Sequence, residues 1–153
     1  MSALPMDPAD DAGLACTCAA VRVAARRLTQ FYDDALRDTG LKVTQYALMA
    51  NIARMDRPSV TDLADQVSMD RTTLTRNLAP LKRAGLVELE PGPDKRTRSV
   101  VLTTDGRRRL DAARAYWRTA EMELRQRAGS DITAALHTAL DRTVGATAGQ
   151  RDR

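Results

Sequence analysis

The stretch from Ser59 to Thr103 constrains this chain more than any other, because its hydrophobic period changes partway through. Leu63, Val67, Leu74, Leu78 and Leu81 recur at helical spacing on either side of Ser68 and Met69. Ser59 or Thr61 is placed to cap a short helix over 62–67, Asp70 caps a longer one reaching residue 84, and Gly85 closes it. Two short helices joined by so tight a turn cross steeply and share those apolar residues as a common core. Directly after Gly85 the period drops to two, giving short β runs at 86–90 and 99–102, the first alternating apolar with acidic residues.

The face left outside carries Arg71, Thr72, Thr73, Thr75, Arg76 and Lys82, and the turn-rich tip from Pro91 to Arg98 adds Lys95, Arg96 and Arg98. Between Arg71 and Arg109 there are ten basic residues against four acidic ones, an excess larger than the net charge of +4 for all 153 residues. A concentrated basic stretch is the footprint of a polyanionic partner, and a solvated surface is its bland alternative. A helix pair with a polar outer face, followed by a basic-tipped hairpin, is a winged helix-turn-helix. The expected fold class is therefore mainly α with a small β-hairpin wing (α+β), set in an otherwise all-helical chain.

The flanking segments are long amphipathic helices. Leu14, Cys18, Val21, Ala25, Leu28, Tyr32 and Ala35 follow one another at alternating spacings of four and three, the pattern of a coiled-coil seam on a helix over 14–38, with Gly40 as its cap. A second helix opens after Thr44, carries Leu48, Ile52 and Met55, and stops at Arg57-Pro58. Beyond the hairpin, Thr103 or Thr104 caps a helix to about residue 127 with Leu110, Ala113, Trp117, Ala120, Leu124 and Ala128 at seam spacing, and a last helix over 131–145 presents Ile132, Leu136, Leu140 and Val144. These seams exceed what one small core needs, which implies a partner, most simply a second copy.

The length suits one domain over 1–153, with 14–40 and 104–146 as dimerisation helices, 44–103 as the nucleic-acid-binding module, and 1–13 and 147–153 expected to be disordered. Nowhere do eighteen apolar residues run together, and residues 1–13 hold acids but no base, so a membrane span and a signal peptide are not expected and a cytoplasmic location is. There is no phosphate-cradling glycine loop and no nucleophile with a base and an orienting acid, and the chain has a single histidine, so an enzyme and a bound cofactor are not expected.

The run VTDLADQV from Val60, the run MDRTTLTRNLAPLKRAGLV from Met69, DKRTR from Asp94 and LTTDGR from Leu102 together resemble the MarR family of bacterial transcription regulators, over residues 16–145. That resemblance implies a homodimer reading a palindromic operator in double-stranded DNA, more often as a repressor than an activator. The helix from Asp70 takes the place of the recognition helix, so Arg71, Thr72, Thr73, Thr75, Arg76 and Asn77 are expected in or beside the major groove, with Arg71 and Arg76 reading bases. Arg96 takes the place of the wing arginine that reaches the minor groove, and Asp94 that of the residue holding the hairpin. Ser68, Asp70, Lys82, Lys95 and Arg98 complete the expected DNA-facing set, largely through the phosphates.

Cys16 and Cys18 stand outside that module. The family branch that senses organic hydroperoxides has a reactive cysteine near the start of its first helix, and aligning Thr29-Gln30-Phe31-Tyr32 with it puts Cys18 there and Tyr32 at a thiolate-holding tyrosine. Arg22 and Val43 stand where that branch has its other two tyrosines, which departs from its pattern. Cys18 and Tyr32 share a helix face but lie about 21 Å apart along it, so contact needs an antiparallel partner helix. Cys18 is near a helix N-terminus with Arg22 one turn on, a positive setting, and Cys16 is close enough to resolve an oxidised Cys18 or to join it in binding a soft metal or metalloid. Plain packing in the alanine-rich run 15–20 is the third reading. With His137 as the sole histidine, and far off in sequence, a tetrahedral zinc site within one chain lacks ligands. A phenolic small-molecule inducer, which the resemblance also implies, would be lined by Tyr46, Met49 and Trp117 unless these are core.

Overall fold

A side chain of the preceding residue caps the start of three of the six described α-helices. In the computed structural model, which describes residues 16–94 and 97–148, helices α1 (Thr17–Ala35), α2 (Val43–Met55), α3 (Val60–Gln66) and α4 (Arg71–Arg83) precede an antiparallel pair β1 (Val87–Pro91) and β2 (Arg98–Leu102), followed by α5 (Thr104–Ala128) and α6 (Ser130–Thr147). Ser59 accepts the Asp62 N–H at the start of α3, Asp70 accepts the Thr73 N–H at the start of α4, and Thr103 accepts the Gly106 N–H at the start of α5. Each supplies an acceptor that the first turn of a helix lacks.

Two boundaries differ from the sequence pattern for a tertiary reason. The second helix begins at Val43 rather than after Thr44, because the Asp33 carboxylate of α1 accepts the Val43 N–H at 2.7 Å and Gln45 accepts that of Lys42 at 2.9 Å. The first helix ends at Ala35, short of residue 38, where the wholly buried Leu36 turns the chain inward. A 3-10 turn over Arg37–Thr39 follows, and Gly40 closes that turn instead of the helix. The last helix runs through Thr147, past the expected end at residue 145 and into the segment 147–153 expected to be disordered. Leu14 and residues 1–13 lie outside the described residues, as do 149–153.

One core joins the middle of the chain to α5. Leu36, Leu41, Met49 and Ile52 meet Leu63, Leu74, Leu78 and Leu81 beneath the hairpin's Val87 and Val100, with Leu110 and Ala113 of α5 closing the far side. Tyr46 stacks on Trp117, with ring centroids 5.8 Å apart. Tyr46 and Met49 are buried and Trp117 packs against them, so these three residues are core and line neither of the two larger clefts. In contrast, α1 buries none of its residues, and α6 leaves Ile132, Leu136, Leu140 and Val144 exposed along one face.

Candidate nucleic-acid interface

The helix-turn-helix is built from the inside out. Leu63 and Ala64 of α3 and Leu74, Leu78 and Leu81 of α4 are buried against each other. Ser68 takes a left-handed backbone (φ 53°) in the turn, which lets the Met69 N–H return to the Ala64 carbonyl at 2.9 Å. Burying that leucine stripe forces the opposite side of α4 outward, and Arg71, Thr72, Thr75, Arg76, Asn77 and Lys82 are all exposed. Ser68 and Asp70 are exposed beside them, and Thr73 is half-buried.

The side chains on this face are already organised. The Asp70 carboxylate receives both the Thr73 hydroxyl (2.6 Å) and the Thr73 N–H (2.9 Å), which together hold its pKa below the usual aspartate value. The Thr75 hydroxyl donates to the Arg71 carbonyl at 2.7 Å. Two of the three threonines therefore spend their proton within α4. A phosphate oxygen only accepts, so what Thr73 and Thr75 offer at no cost is a methyl group, suited to the thymine methyl. Asn77 donates to Met69 Sδ at 3.3 Å and lines a cleft of about 310 Å³ between α2 and α4, together with Lys42, Gln45, Asn51 and Arg76. Asn77 is exposed on α4 with most of the expected set, and Arg76 borders the same cleft.

The hairpin stands next to α4. Its register pairs Val87 with Leu102 and Pro91 with Arg98; the first strand starts at Val87, one residue later than the alternation suggested, and the Thr103 N–H meets the Leu86 carbonyl in the same register. At the tip Gly92 N–H donates to the Thr97 carbonyl, and the Asp94 carbonyl accepts both the N–H and the hydroxyl of Thr97 at 2.9 Å. Lys95 and Arg96 fall outside the described residues, so of the wing cations Arg98 alone is placed, exposed at the start of β2.

Sequence reasoning missed how the hairpin is anchored. Val100 donates its N–H to the Pro58 carbonyl at 2.8 Å, Ser59 bridges Ser99, and Arg57 is ion-paired with Glu90. Pro58 and Ser59 thus add a short third rung to the sheet. Two adjacent left-handed residues, Asp56 and Arg57, bring the chain there. No periodicity marks such a rung, and Arg57-Pro58 read only as a helix stop.

Cys16 and Cys18 are free thiols, exposed at the start of α1: Cys16 is the residue before the first turn and Cys18 lies within it. Arg22 is exposed one turn on. Tyr32 lies at the other end of the same unbroken helix and faces α5, donating to Glu121 at 2.6 Å. Burial and that hydrogen bond raise the Tyr32 pKa above the usual tyrosine range. Burial alone would raise that of Glu121, but the bonds from Tyr32 and Arg125 outweigh it and leave Glu121 below the usual range. Among the described residues no group of three or more His, Cys, Asp or Glu is arranged to hold a metal ion, and no helix is long and apolar enough to cross a membrane.

The transcriptional regulator MosR of M. tuberculosis, crystallised in complex with DNA, is 37% identical, with a TM-score of 0.71 over 84% of this chain and 98% of that one. Wild-type MarR of E. coli in its apo form is 22% identical (TM-score 0.68, 86% of this chain and 99% of that one), and a mutant E. coli MarR bound to operator DNA is 24% identical (TM-score 0.74, 81% and 90%). These two share the fold. No curated protein matches by sequence. The neighbours define a class, DNA-binding transcriptional regulators built on a winged helix-turn-helix. The chain belongs to the MarR family, whose model matches residues 39–97.

Proposed function

We propose that this regulator works as a homodimeric repressor that binds a palindromic operator and is released when Cys18 is oxidised. The observation that carries the DNA-reading half is the polar face of α4, displayed beside the hairpin by a buried leucine stripe on its other side. Arg71 and Arg76 are exposed on that face with long, forked donors suited to guanine edges, and Lys82 and Arg98 are exposed cations suited to phosphates. In this reading Arg96 is the wing residue that enters the neighbouring minor groove, and Lys95 meets phosphates. The uncovered apolar faces of α1 and α6 favour a second copy, and a two-fold pair of α4 helices reads half-sites whose centres lie about 10 base pairs apart.

The exposure of both thiols at the start of α1 favours an oxidant as the signal. The Cys18 sulfur attacks a hydroperoxide, releasing an alcohol and becoming a sulfenic acid. Cys16 then displaces water from it to form a disulfide. Two sulfurs this close in one strand of chain close a strained ring, which distorts the first turn of α1 where the second copy would pack.

Footprinting on the DNA upstream of the gene tests both halves. Reduced protein should protect a palindrome at moderate salt, peroxide should release it, and Cys18→Ser protein should stay bound in peroxide. Absence of any protected palindrome would sink the operator reading, while release of Cys18→Ser by peroxide would sink the thiol reading alone.

A further inference from the structure

The LTTDGR run has a part that DNA contact does not explain. A single residue, Thr103, separates the end of β2 from the start of α5, and it is bonded in three directions. Its N–H donates to the Leu86 carbonyl at 3.1 Å, its hydroxyl donates to the Gly85 carbonyl at 2.6 Å, and the same oxygen accepts the Gly106 N–H at 2.9 Å. Gly85 and Leu86 are in turn tied to the last turn of α4: Gly85 N–H reaches the Lys82 carbonyl at 3.0 Å and Leu86 N–H the Leu81 carbonyl at 2.9 Å. An unbroken set of hydrogen bonds therefore runs from the recognition helix into the first turn of α5.

Gly106 makes that connection tight. It is buried, and a Cβ at its position would lie 1.9 Å from the Leu86 carbonyl oxygen and 2.8 Å from the carbonyl carbon. Those atoms are backbone and are held by the bonds just described, so they cannot move aside as a flexible side chain would. Here a hydrogen is the largest group that fits, and α5 sits directly on the chain that leaves α4.

We infer that Thr103 and Gly106 are positioning residues that set the spacing between the two half-sites, without touching DNA. The inference rests on the dimeric reading above. Helix α5 has 25 residues and leads from this junction, past Leu110, Ala113 and Trp117 packed on the lobe, to the exposed face of α6, so the recognition helix lies at one end of a rigid arm and the surface assigned to the second copy at the other. At about 1.5 Å per residue that arm is nearly 40 Å long. A play of about 10° at the junction would carry the recognition helix by about 6 Å, close to two base pairs at about 3.4 Å each. A joint without slack is what lets the dimer prefer one spacing.

The test uses the full-length protein and the palindrome selected from random DNA, with the spacer lengthened or shortened by one and two base pairs. Wild type should favour one spacing by about tenfold over its neighbours, the scale on which losing one of two tethered sites is felt. Gly106→Ala should move that optimum or flatten the preference to within about threefold. Thr103→Val should flatten it as well, and Thr103→Ser, which rebuilds the hydroxyl, should keep it. Binding of each variant to a single half-site should stay within about twofold of wild type, a readout that general unfolding would move. A dimer in which Gly106→Ala and Thr103→Val weaken every spacing by one common factor, or change nothing, overturns the inference. If Gly106→Ala does not fold, the Val and Ser pair at Thr103 decides it. Wild-type protein that sediments as a monomer and ignores spacing overturns the dimeric reading instead, and this inference falls with it.

Discussion

The middle of the chain and its two ends are put together differently. From Leu36 to Ala113 the apolar side chains are covered by the chain itself, with Leu36, Met49, Leu63, Leu74 and Val100 at 0% exposure or close to it. In α1 no residue is buried, and α6 buries only Thr133 while Ile132 and Val144 are more than half exposed. Both regions are amphipathic helices by sequence, so periodicity alone does not separate a face that has found its cover from one that has not. The difference teaches that the DNA-reading lobe is self-sufficient and that α1 and α6 are built for something outside the single chain.

Three experiments bear on that contrast. The largest effect is expected inside the lobe: Leu74→Ala leaves a hole in a fully buried position and should cost about 3 kcal/mol of unfolding free energy, read from a denaturant melt. The loss should be the same at low and high protein concentration, and a concentration-dependent loss would break the contrast. Next comes the α6 face. Leu136→Glu combined with Leu140→Glu should leave the far-ultraviolet spectrum intact, shift the sedimenting species to a monomer, and lower operator affinity by about a hundredfold, since the second half-site is no longer tethered. A double variant that still sediments as the wild type does would show that this face is covered by something else.

The smallest effect concerns the cap of α4. Asp70 has its pKa lowered by Thr73, through the hydroxyl first and the N–H second. A carboxylate depressed in the folded state adds stability above its unfolded pKa, near pH 4, and that contribution fades as pH falls through the lower folded value. The urea midpoint of wild type should therefore exceed that of Asp70→Asn at pH 6, with the gap closing toward pH 2. A gap that stays constant across this range would remove the charge from the explanation and leave only the hydrogen bond.

Much of the lobe was legible in the sequence because its signals are local. Ser59, Asp70 and Thr103 cap the helices they precede, Gly85 takes the left-handed backbone (φ 68°) that ends α4, and the switch to a two-residue period marks the hairpin. What escaped depends on contacts between distant residues. The start of α2 is fixed by Asp33 ten positions earlier, and the hairpin is anchored through Pro58 and Arg57. At the thiol end, the spacing of Cys18 from Tyr32 was readable, but the pairing of Tyr32 with Glu121, 89 positions on, was not.

That last pairing also bears on the order in which the molecule forms. The first eleven residues of α1 are exposed throughout, and its hydroxyl bond across to α5 closes a loop spanning most of the chain. Local pairings such as α3 with α4, or β1 with β2, close far shorter loops and form at lower entropic cost. On a ribosome, α1 is made before the lobe and settles only after α5 has been made. The segment carrying Cys16 and Cys18 is thus made well before the α5 residue that holds the far end of its helix.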